Sequence, residues 1–424
     1  MGHRVTGIRA LEIVDSRGKP TIQVTIGLGG GAEGTAGVPS GASTGTREAV
    51  ELRDAESDRY GGAGVQRAVM VVEGEIAELL HSREWESLEE IDLALIDLDG
   101  TPNKSRLGAN AIVGTSMAAA RAMALAEGAP LYRWLAPDGV EPRLPVPHFN
   151  VINGGAHARN PLQFQEFMIA PLGAPTFREA LRAGAEVYAT LRRHLDGSGF
   201  STGLGDEGGF APDIASPEDA LDLLVAAIAE AGYEAGPRGV SIALDPAANG
   251  FASGAGTYTV ADARSSSSEM IDRYAKMIER YPIWSLEDGL AEDDDQGWIE
   301  LTERLSGAVQ LVGDDNFVTN PAIIRDAVDA GIANAALIKP NQVGTVTETL
   351  EAMAVCRAAG YGQMVSHRSG ETCDAFIADL AVASGCGQIK SGAPARGERV
   401  AKYNRLLAIE LELGSAPYGP ERSS

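Results

Sequence analysis

Six short apolar runs in the second half of the chain are each closely followed by a charged or ionisable side chain. These residues are three carboxylates, a lysine, a histidine and a second lysine: Asp245, Glu287, Asp314, Lys339, His367 and Lys390. Three carboxylates that meet in one place repel one another unless a cation lies among them. Mg²⁺ prefers oxygen ligands and commonly shares them with a substrate phosphate or carboxylate. We therefore expect Asp245, Glu287 and Asp314 to bind Mg²⁺.

The lysines and the histidine segment suggest what the metal would assist. A lysine beside bound metal and other cations has its neutral form favoured, so Lys339 or Lys390 could act as a general base. The His367–Arg368–Ser369 segment offers a guanidinium fork, a hydroxyl and nearby backbone N–H groups, which suit a phosphate. Metal, base and anion clamp together indicate proton abstraction next to a carboxylate, with the metal stabilising the developing charge.

Alternating strands and helices would position these residues. The predicted strands are Val240–Leu244, Ile283–Leu286, Val309–Val312, Ala335–Ile338, Gln363–Val365 and Gly387–Ile389. From Glu287 onward they recur at intervals of about 25 residues, the length of one strand-plus-helix unit. A closed parallel barrel brings all its strand carboxyl ends to one mouth. An open doubly wound sheet also places function at strand ends, but the number and even spacing of the units favour a (β/α)8-like barrel.

A smaller α+β domain is expected before the barrel. Alternating apolar residues within residues 1–40 predict strands, and helical periodicity appears near Gly64–Leu80 and Gly108–Glu127. The prolines crowded between 137 and 147 suit neither a helix nor a central strand. We therefore predict an N-terminal capping domain over residues 1–136 and a catalytic barrel over residues 143–424.

Two glycine-containing stretches resemble phosphate loops. The stretch 203–208 matches GxGxxG, but residues 196–202 before it have the composition of a loop, so a dinucleotide site is rejected. Its glycines more plausibly let the backbone carry Glu207 into a site. The stretch 41–45 contains Ser43, yet no GK[ST] sequence follows it.

Composition limits the possible partners. The chain has 424 residues, 44% of them hydrophobic, and a formal net charge of −24. Such acidity disfavours nucleic acids and anionic membranes, whose binding depends on Lys and Arg. The longest apolar stretch, Ala109–Ala126, is interrupted by a polar and a charged residue, so we expect a packed helix and no membrane association. Three scattered cysteines suit a reducing cytoplasm. An anionic substrate would then depend on bound cations.

Ten motifs, in order and spacing, resemble the enolase family over almost the whole chain. They span residues 15–18 (DSRG), 39–45 (PSGASTG), 153–157 (NGGAH), 165–168 (QEFM), 205–209 (GDEGG), 285–288 (SLED), 313–315 (GDD), 339–342 (KPNQ), 366–371 (SHRSGE) and 387–392 (GQIKSG). The resemblance implies dehydration of 2-phosphoglycerate to phosphoenolpyruvate. Enolase-superfamily enzymes use a Lys or His base with one or two Mg²⁺ ions.

The resemblance also implies a role for each matching residue. Lys339 would remove the C2 proton, while Glu207, assisted by Glu166, would protonate the departing C3 hydroxyl. Ser43 would help bind a second Mg²⁺ with the phosphate, beside the first Mg²⁺ on the acidic trio. The residues that would bind or orient the phosphorylated hydroxyacid are His157, Gln165, His367, Arg368, Ser369 and Lys390. A homodimer or homo-octamer is expected, with residues 15–18 at the dimer contact.

Three departures from the family pattern leave an alternative open. The segment after Asp245 lacks the usual Ser-Glu-Phe ending, Cys373 stands where an acidic residue is common, and Lys19 replaces a usual Asn. The alternative is an enolase-like dehydratase of a related phospho- or phosphono-hydroxyacid, of the carboxyphosphonoenolpyruvate synthase type. A non-catalytic scaffold is disfavoured because every proton-transfer and metal position is filled. An acid-sugar dehydratase is disfavoured because Lys339 has no KxK pattern.

Overall fold

A three-stranded antiparallel sheet forms the first part of the chain and confirms the strands expected within residues 1–40. The computed structural model describes residues 2–42, 45–55, 58–254, 256–260 and 263–421. The strands, in their order in the sheet, are β1 Val5–Val14, β2 Pro20–Leu28 and β3 Glu33–Gly37. Alternate side chains of a strand share one face. On β2 that face is formed by Ile22, Val24 and Ile26, which are all fully buried.

Five helices accompany this sheet in the described part of the chain. They are α1 Gln66–Val71, α2 Ala77–His81, α3 Leu88–Asp99, α4 Ala109–Ala126 and α5 Leu131–Trp134. Of these, α1, α2 and α4 pack directly on the strands of the sheet. A π-helical stretch, Val72–Ile76, joins α1 to α2, so the predicted helix near Gly64–Leu80 is present but interrupted. The predicted helix within residues 108–127 is confirmed as α4, which packs on β2 and β3. Among the described residues, no helix is long and apolar enough to cross a membrane.

Eight strands close into a barrel in the rest of the chain, which confirms the predicted fold class. In chain order they are β4 Val146–Asn153, β5 Glu166–Ala170, β6 Ser241–Asp245, β9 Ile283–Glu287, β10 Gln310–Gly313, β11 Ala335–Ile338, β12 Gly362–Ser366 and β13 Gln388–Lys390. Around the ring the order is β10-β11-β12-β13-β4-β5-β6-β9. All six predicted strands are present, with ends that differ by no more than about one residue, the usual uncertainty of such boundaries.

The barrel is not entirely parallel, so that part of the prediction is wrong. Strand β5 runs antiparallel to both β4 and β6. The twelve residues that join β4 to β5 contain one 3₁₀ turn and no α-helix, so they do not form the helical crossover that usually joins parallel strands. The reversal places the first residue of β5, Glu166, beside the last residue of β6, Asp245. The amino-terminal end of β5 therefore contributes a side chain to the mouth, which is otherwise formed by the carboxyl ends of the parallel strands.

Helices surround the barrel, and a small hairpin lies at its mouth. The helices are α6 Phe177–Gly197, α7 Pro217–Glu230, α8 Ser267–Arg280, α9 Asp295–Leu305, α10 Pro321–Ala330, α11 Pro340–Val343, α12 Val346–Ala359, α13 Phe376–Ala383 and α14 Gly397–Leu413. The hairpin pairs β7 Thr257–Val260 with β8 Ala263–Ser266. Single 3₁₀ turns span Arg59–Gly62, Gly155–His157 and Ala248–Phe251.

Candidate active site

The ammonium group of Lys390 lies at the centre of a buried acidic cluster. Its Nζ is 2.7 Å from Oε1 of Glu287, 3.2 Å from Oε2 of Glu166 and 3.4 Å from Oδ2 of Asp245. Burial opposes the charge, but Glu166, Glu287 and Asp245 outweigh it and raise the pKa of Lys390 well above its usual value. Three strand ends of the barrel, those of β6, β9 and β13, thus meet through one lysine.

A second lysine pairs with the third predicted metal ligand. Lys339 Nζ is 2.5 Å from Oδ2 of Asp314, and the amide of Gln342 donates a hydrogen bond to Oδ1 of Asp314 at 2.9 Å. Burial lowers the pKa of Lys339, but Asp314 outweighs it and the net pKa is raised. Bound cations were expected to favour the neutral amine of Lys339. The side chains alone act in the opposite direction, because Asp314 is the nearest charge.

The acidic trio fits a divalent cation. Burial and the charge of Asp245, followed by that of Asp314, raise the pKa of Glu287 well above its usual range, although Lys390 acts in the opposite direction. Asp245 and Asp314 thus each repel the carboxylate of Glu287. Within the described part of the chain, Oε2 of Glu287 is buried and has no hydrogen-bond partner. A buried carboxylate oxygen without a partner is costly, and a cation among the three carboxylates would remove that cost. Ser43, the ligand expected for a second metal, lies outside the described residues.

A neighbouring acidic group was not expected from the sequence. Carboxylate oxygens of Asp288, Asp314 and Asp315 lie within 4.8 Å of one another. Asp288 accepts hydrogen bonds from the backbone N–H groups of Asp314 at 2.8 Å and Asp315 at 3.0 Å, so it holds the loop after β10 in place. Burial, followed by repulsion from Asp314, raises the pKa of Asp315 to about 7. These contacts explain how Asp314 is aimed at the mouth.

A pair of glutamates and two histidines face this cluster. His157 lies between the glutamates, with Nδ1 3.7 Å from Glu166 and Nε2 3.7 Å from Glu207. His367 Nε2 is 3.2 Å from Oε2 of Glu207, and the amide of Asn150 donates a hydrogen bond to the same oxygen at 3.0 Å. The structure therefore brings together the predicted residues Glu166, Glu207, His157 and His367.

The two glutamates of this group differ in acidity. Burial, followed by the charge of Glu207, raises the pKa of Glu166 well above its usual range. Burial also opposes ionisation of Glu207, but His367, His157 and Arg399 outweigh it and hold its pKa well below the usual range. Of the two, Glu166 is therefore the more readily protonated.

Glycines shape the loop that carries Glu207. A Cβ on Gly205 would lie 2.7 Å from the Cβ of Asn153, and Gly208 has a φ of +86°, a conformation that L side chains rarely adopt. Residues 196–203 form the end of α6 and a loop, with no strand in that stretch, which agrees with the rejection of a dinucleotide site. Glycine is thus used here for close packing and a turn.

The remaining predicted binding residues also line the mouth. Both terminal nitrogens of Arg368 lie 3.0 Å from the carboxylate of Glu48, and Arg368 also donates a hydrogen bond to Asn341 at 3.0 Å. Ser369 Oγ accepts a hydrogen bond from Arg17 at 3.3 Å. The guanidinium expected to bind an anion is therefore already paired with an acid from the first part of the chain.

A cleft of about 400 Å³ adjoins these residues. Gln165 lines it, together with the segment 246–251 that departs from the family pattern. Within that segment, the amide of Asn249 donates a hydrogen bond to Asp315 at 2.8 Å and accepts one from the backbone N–H of Glu292 at 2.9 Å. A Cβ at Gly250 would meet no heavy atom within 4 Å, so the glycine in this unusual segment leaves open space at the mouth. Cys373, the second departure, is exposed.

Sequence reasoning missed several residues that hold the site. Glu48, Asn150 and Arg399 each contact a predicted residue. None of these three follows a predicted strand, so strand-end register could not identify them. Gln342, which donates a hydrogen bond to Asp314, lies in the 339–342 motif but was given no role. Glu48 lies close to the predicted 39–45 motif, which is the only signal that could have suggested it.

Comparison with known proteins places the whole chain in one family. The model of the enolase C-terminal TIM barrel domain matches residues 141–422, and the model of the enolase N-terminal domain matches residues 5–135. An enolase of Rubrobacter xylanophilus is 55% identical over 417 residues, which cover 98% of this chain and 96% of that protein. Together with the closed barrel and the charged cluster at its mouth, these matches show that the chain belongs to the enolase family.

Proposed function

We propose that this protein catalyses the Mg²⁺-dependent dehydration of 2-phospho-D-glycerate to phosphoenolpyruvate. Membership in the enolase family makes the chain a carbon–oxygen hydro-lyase. The observation that carries the finer proposal is the arrangement of Lys339 beside the acidic trio, with the Glu166–His157–Glu207 group at the same mouth. A base and an acid on separate elements are what removal of a proton and a hydroxyl requires.

The proposed metal ligands are Asp245, Glu287 and Asp314. When bound, Mg²⁺ would supply Lewis-acid stabilisation of the charge that develops on the substrate carboxylate. By resemblance, Ser43 would contribute to a second Mg²⁺ at the phosphate. The convergence of the trio and the unpartnered oxygen of Glu287 support the first site.

The proposed proton transfers use two sides of the mouth. Nζ of Lys339, in its neutral form, takes the C2 proton, and the electron pair of that C–H bond first passes into the substrate carboxylate as an enolate. In the second step this pair forms the C2=C3 double bond as the C3–O bond breaks. The departing hydroxyl takes a proton from Glu207 and leaves as water. Because Glu207 is the more acidic glutamate, it must first receive a proton, and Glu166, the more readily protonated neighbour, would supply it.

The remaining polar side chains of the mouth would bind the substrate. His157, Gln165, His367, Ser369 and Lys390 line this region. Arg368 would bind the phosphate by exchanging part of its contact with a neighbouring acid for a charge-assisted bond to the ligand. The high density of buried donors is consistent with a small anion that carries a phosphate and a carboxylate.

We also propose a cytoplasmic homodimer or homo-octamer, in which each subunit consists of an N-terminal domain over residues 1–136 and a barrel domain over residues 143–424. Strand β1 is at the edge of its sheet, and Leu11 and Val14 on it are 57% and 56% exposed. An unpaired edge strand with apolar side chains is suited to contact with another chain. The three cysteines are free, as expected in a reducing compartment.

A second candidate substrate is a phosphono-hydroxyacid. The observation that favours it is the open space beside Gly250, in the segment that departs from the family pattern. Purified protein with Mg²⁺ is offered each substrate separately, and formation of the enol double bond is followed by ultraviolet absorbance. Turnover of 2-phosphoglycerate supports the first proposal; negligible turnover there, with activity on the phosphonate, supports the second.

Isotope exchange tests the assignment of the base. Lys339→Ala should reduce exchange of the C2 proton with deuterated solvent by about 10²–10⁴-fold while ligand binding, measured by calorimetry, is largely retained. Lys104→Ala is the matched control, because Lys104 is buried and paired with Glu348 at 2.8 Å outside the site. Exchange that survives in Lys339→Ala would show that another group is the base.

The acid is tested by separating exchange from dehydration. Glu207→Gln should block dehydration by about 10²–10⁴-fold and still permit C2 exchange, because Lys339 is untouched. Equal loss of both reactions would remove Glu207 from the leaving-group step.

A further inference from the structure

A fully buried arginine outside the predicted site connects the two loops that carry Glu207 and His367. Arg399, on α14, has 0% of its surface exposed. Its guanidinium donates hydrogen bonds to the backbone carbonyls of Asp206 at 3.0 Å, Arg368 at 2.7 Å and Ser369 at 2.6 Å. The guanidinium thus fixes the backbone on both sides of the Glu207–His367 contact.

The same guanidinium determines which nitrogen of His367 carries a proton. Nη1 of Arg399 lies 2.5 Å from Nδ1 of His367. A guanidinium offers only donors and is not deprotonated in proteins, so Nδ1 must accept. A neutral imidazole that accepts at Nδ1 has its proton on Nε2.

The charged groups around the ring favour this neutral form. Burial lowers the pKa of His367 to about 3; Glu207 acts against this shift, whereas Arg399 and Lys390 add to it. A protonated ring would direct an N–H group at the guanidinium. The contact with Arg399 and the deep burial of the ring therefore both favour a neutral His367.

The tautomer has a consequence for the two oxygens of Glu207. Nε2 of His367 is 3.2 Å from Oε2, the oxygen that also accepts a hydrogen bond from Asn150 at 3.0 Å. The Asn150 amide already donates to Oε2, and Nε2 of His367 lies beside the same oxygen without full hydrogen-bond geometry, so a proton on this carboxyl is favoured on Oε1. Oε1 faces Nε2 of His157 at 3.7 Å, on the side where Glu166 lies.

We propose that Arg399 is a positioning residue that holds His367 as the Nε2–H tautomer and thereby reserves Oε1 of Glu207 for proton transfer to the leaving hydroxyl. The proposal rests on the proposed role of Glu207. The O–H bond at Oε1 breaks, the proton passes to the C3 oxygen, and the C3–O electron pair departs with the water molecule.

Nitrogen NMR of the unmodified protein tests the tautomer directly. Protein labelled with ¹⁵N-histidine is compared with the His367→Gln variant, and the signals that disappear belong to His367. We expect a neutral ring with a protonated Nε2 from pH 5 to pH 8. An Nδ1–H tautomer or an imidazolium in this range would overturn the proposal, whatever the enzymatic activity proves to be.

Two variants test whether Arg399 is the cause. Arg399→Met removes the donor, so Nδ1 should take up a proton, either as the other tautomer or as an imidazolium beside Glu207. Arg399→Lys keeps a donor and should retain the Nε2–H signal. Arg405→Met is the matched control, because Arg405 lies on the same helix and pairs with Asp379 at 2.7 Å. Unchanged His367 signals in Arg399→Met would overturn the proposal, and if that variant does not fold, the spectrum of the unmodified protein decides.

Kinetics distinguish positioning from a merely structural role. Arg399→Met should slow dehydration by about 100-fold, the effect of a misplacement of about 1 Å, while C2 exchange stays near the wild-type rate. Arg399→Lys should restore most of the dehydration rate. Equal loss of exchange and dehydration would contradict the proposal. Failure of Glu207→Gln to separate the two reactions would instead contradict the proposed function, since that variant leaves Arg399 intact.

Discussion

Replacing Lys390 by methionine removes a cation that Glu166, Asp245 and Glu287 share. The distances from Nζ to these carboxylates are between 2.7 and 3.4 Å, and all four side chains are buried. Removing one partner from a buried ion pair costs about 3–5 kcal/mol, because the other charge is left uncompensated. We expect Lys390→Met to lose about that free energy of unfolding when the protein is measured in a chelator.

Addition of Mg²⁺ should restore part of this loss. A ligand that binds only the folded state stabilises it in proportion to the logarithm of its concentration over its dissociation constant. Without the competing ammonium, the carboxylates of Asp245 and Glu287 should bind Mg²⁺ more tightly than in the wild type. Urea unfolding, monitored by circular dichroism in chelator and in Mg²⁺, measures the free energy of unfolding under both conditions. The gain in this free energy on adding Mg²⁺ should be larger in Lys390→Met than in the wild type.

Lys402→Met is the control for this experiment. Lys402 is also buried, and its Nζ lies 2.7 Å from Glu371, away from the predicted metal ligands. Its loss should destabilise the protein without increasing the response to Mg²⁺. The reasoning is refuted if Lys390→Met is as stable as the wild type in chelator, or if Mg²⁺ stabilises it no more than the wild type.

Three further outcomes follow from buried groups elsewhere. Burial raises the pKa of Asp92 from 3.8 to about 6. The free energy of unfolding should therefore contain a contribution of about 2–3 kcal/mol from Asp92, present below pH 4 and lost as the pH rises through 6. Asp92→Asn should remove this pH dependence of the free energy of unfolding. The charge of Arg121 outweighs the effect of burial and lowers the pKa of Asp374, so Arg121→Met should reduce the free energy of unfolding by about 3–5 kcal/mol. A double-mutant cycle with Asp374→Asn should show strong coupling between the two residues. Additive effects would contradict the pairing. A thiol reagent should label exposed Cys373 in the native protein but label Cys356 only on unfolding, because Cys356 is buried and burial raises its pKa to about 12.

Much of the barrel could be predicted because its signals are local. A short apolar strand followed by a polar residue is visible in the chain, and parallel strands bring such residues to one mouth. That register correctly placed Glu287, Asp314 and Lys390 at strand ends. It could not show that β5 is reversed, because the direction of a strand depends on the length of its connections and on its neighbours. Glu166, at the start of that strand, was identified only by family resemblance.

The sequence by itself determined which residue types are available at the mouth and that three carboxylates there require a cation. Only the tertiary structure decided how the charges are shared: Lys390 lies among three carboxylates, Lys339 is paired with Asp314, and Arg399 holds His367 from a helix far along the chain. Acidity and tautomeric state depend on distances of a few ångströms between residues remote in sequence. Those distances are determined by packing, which no local pattern encodes.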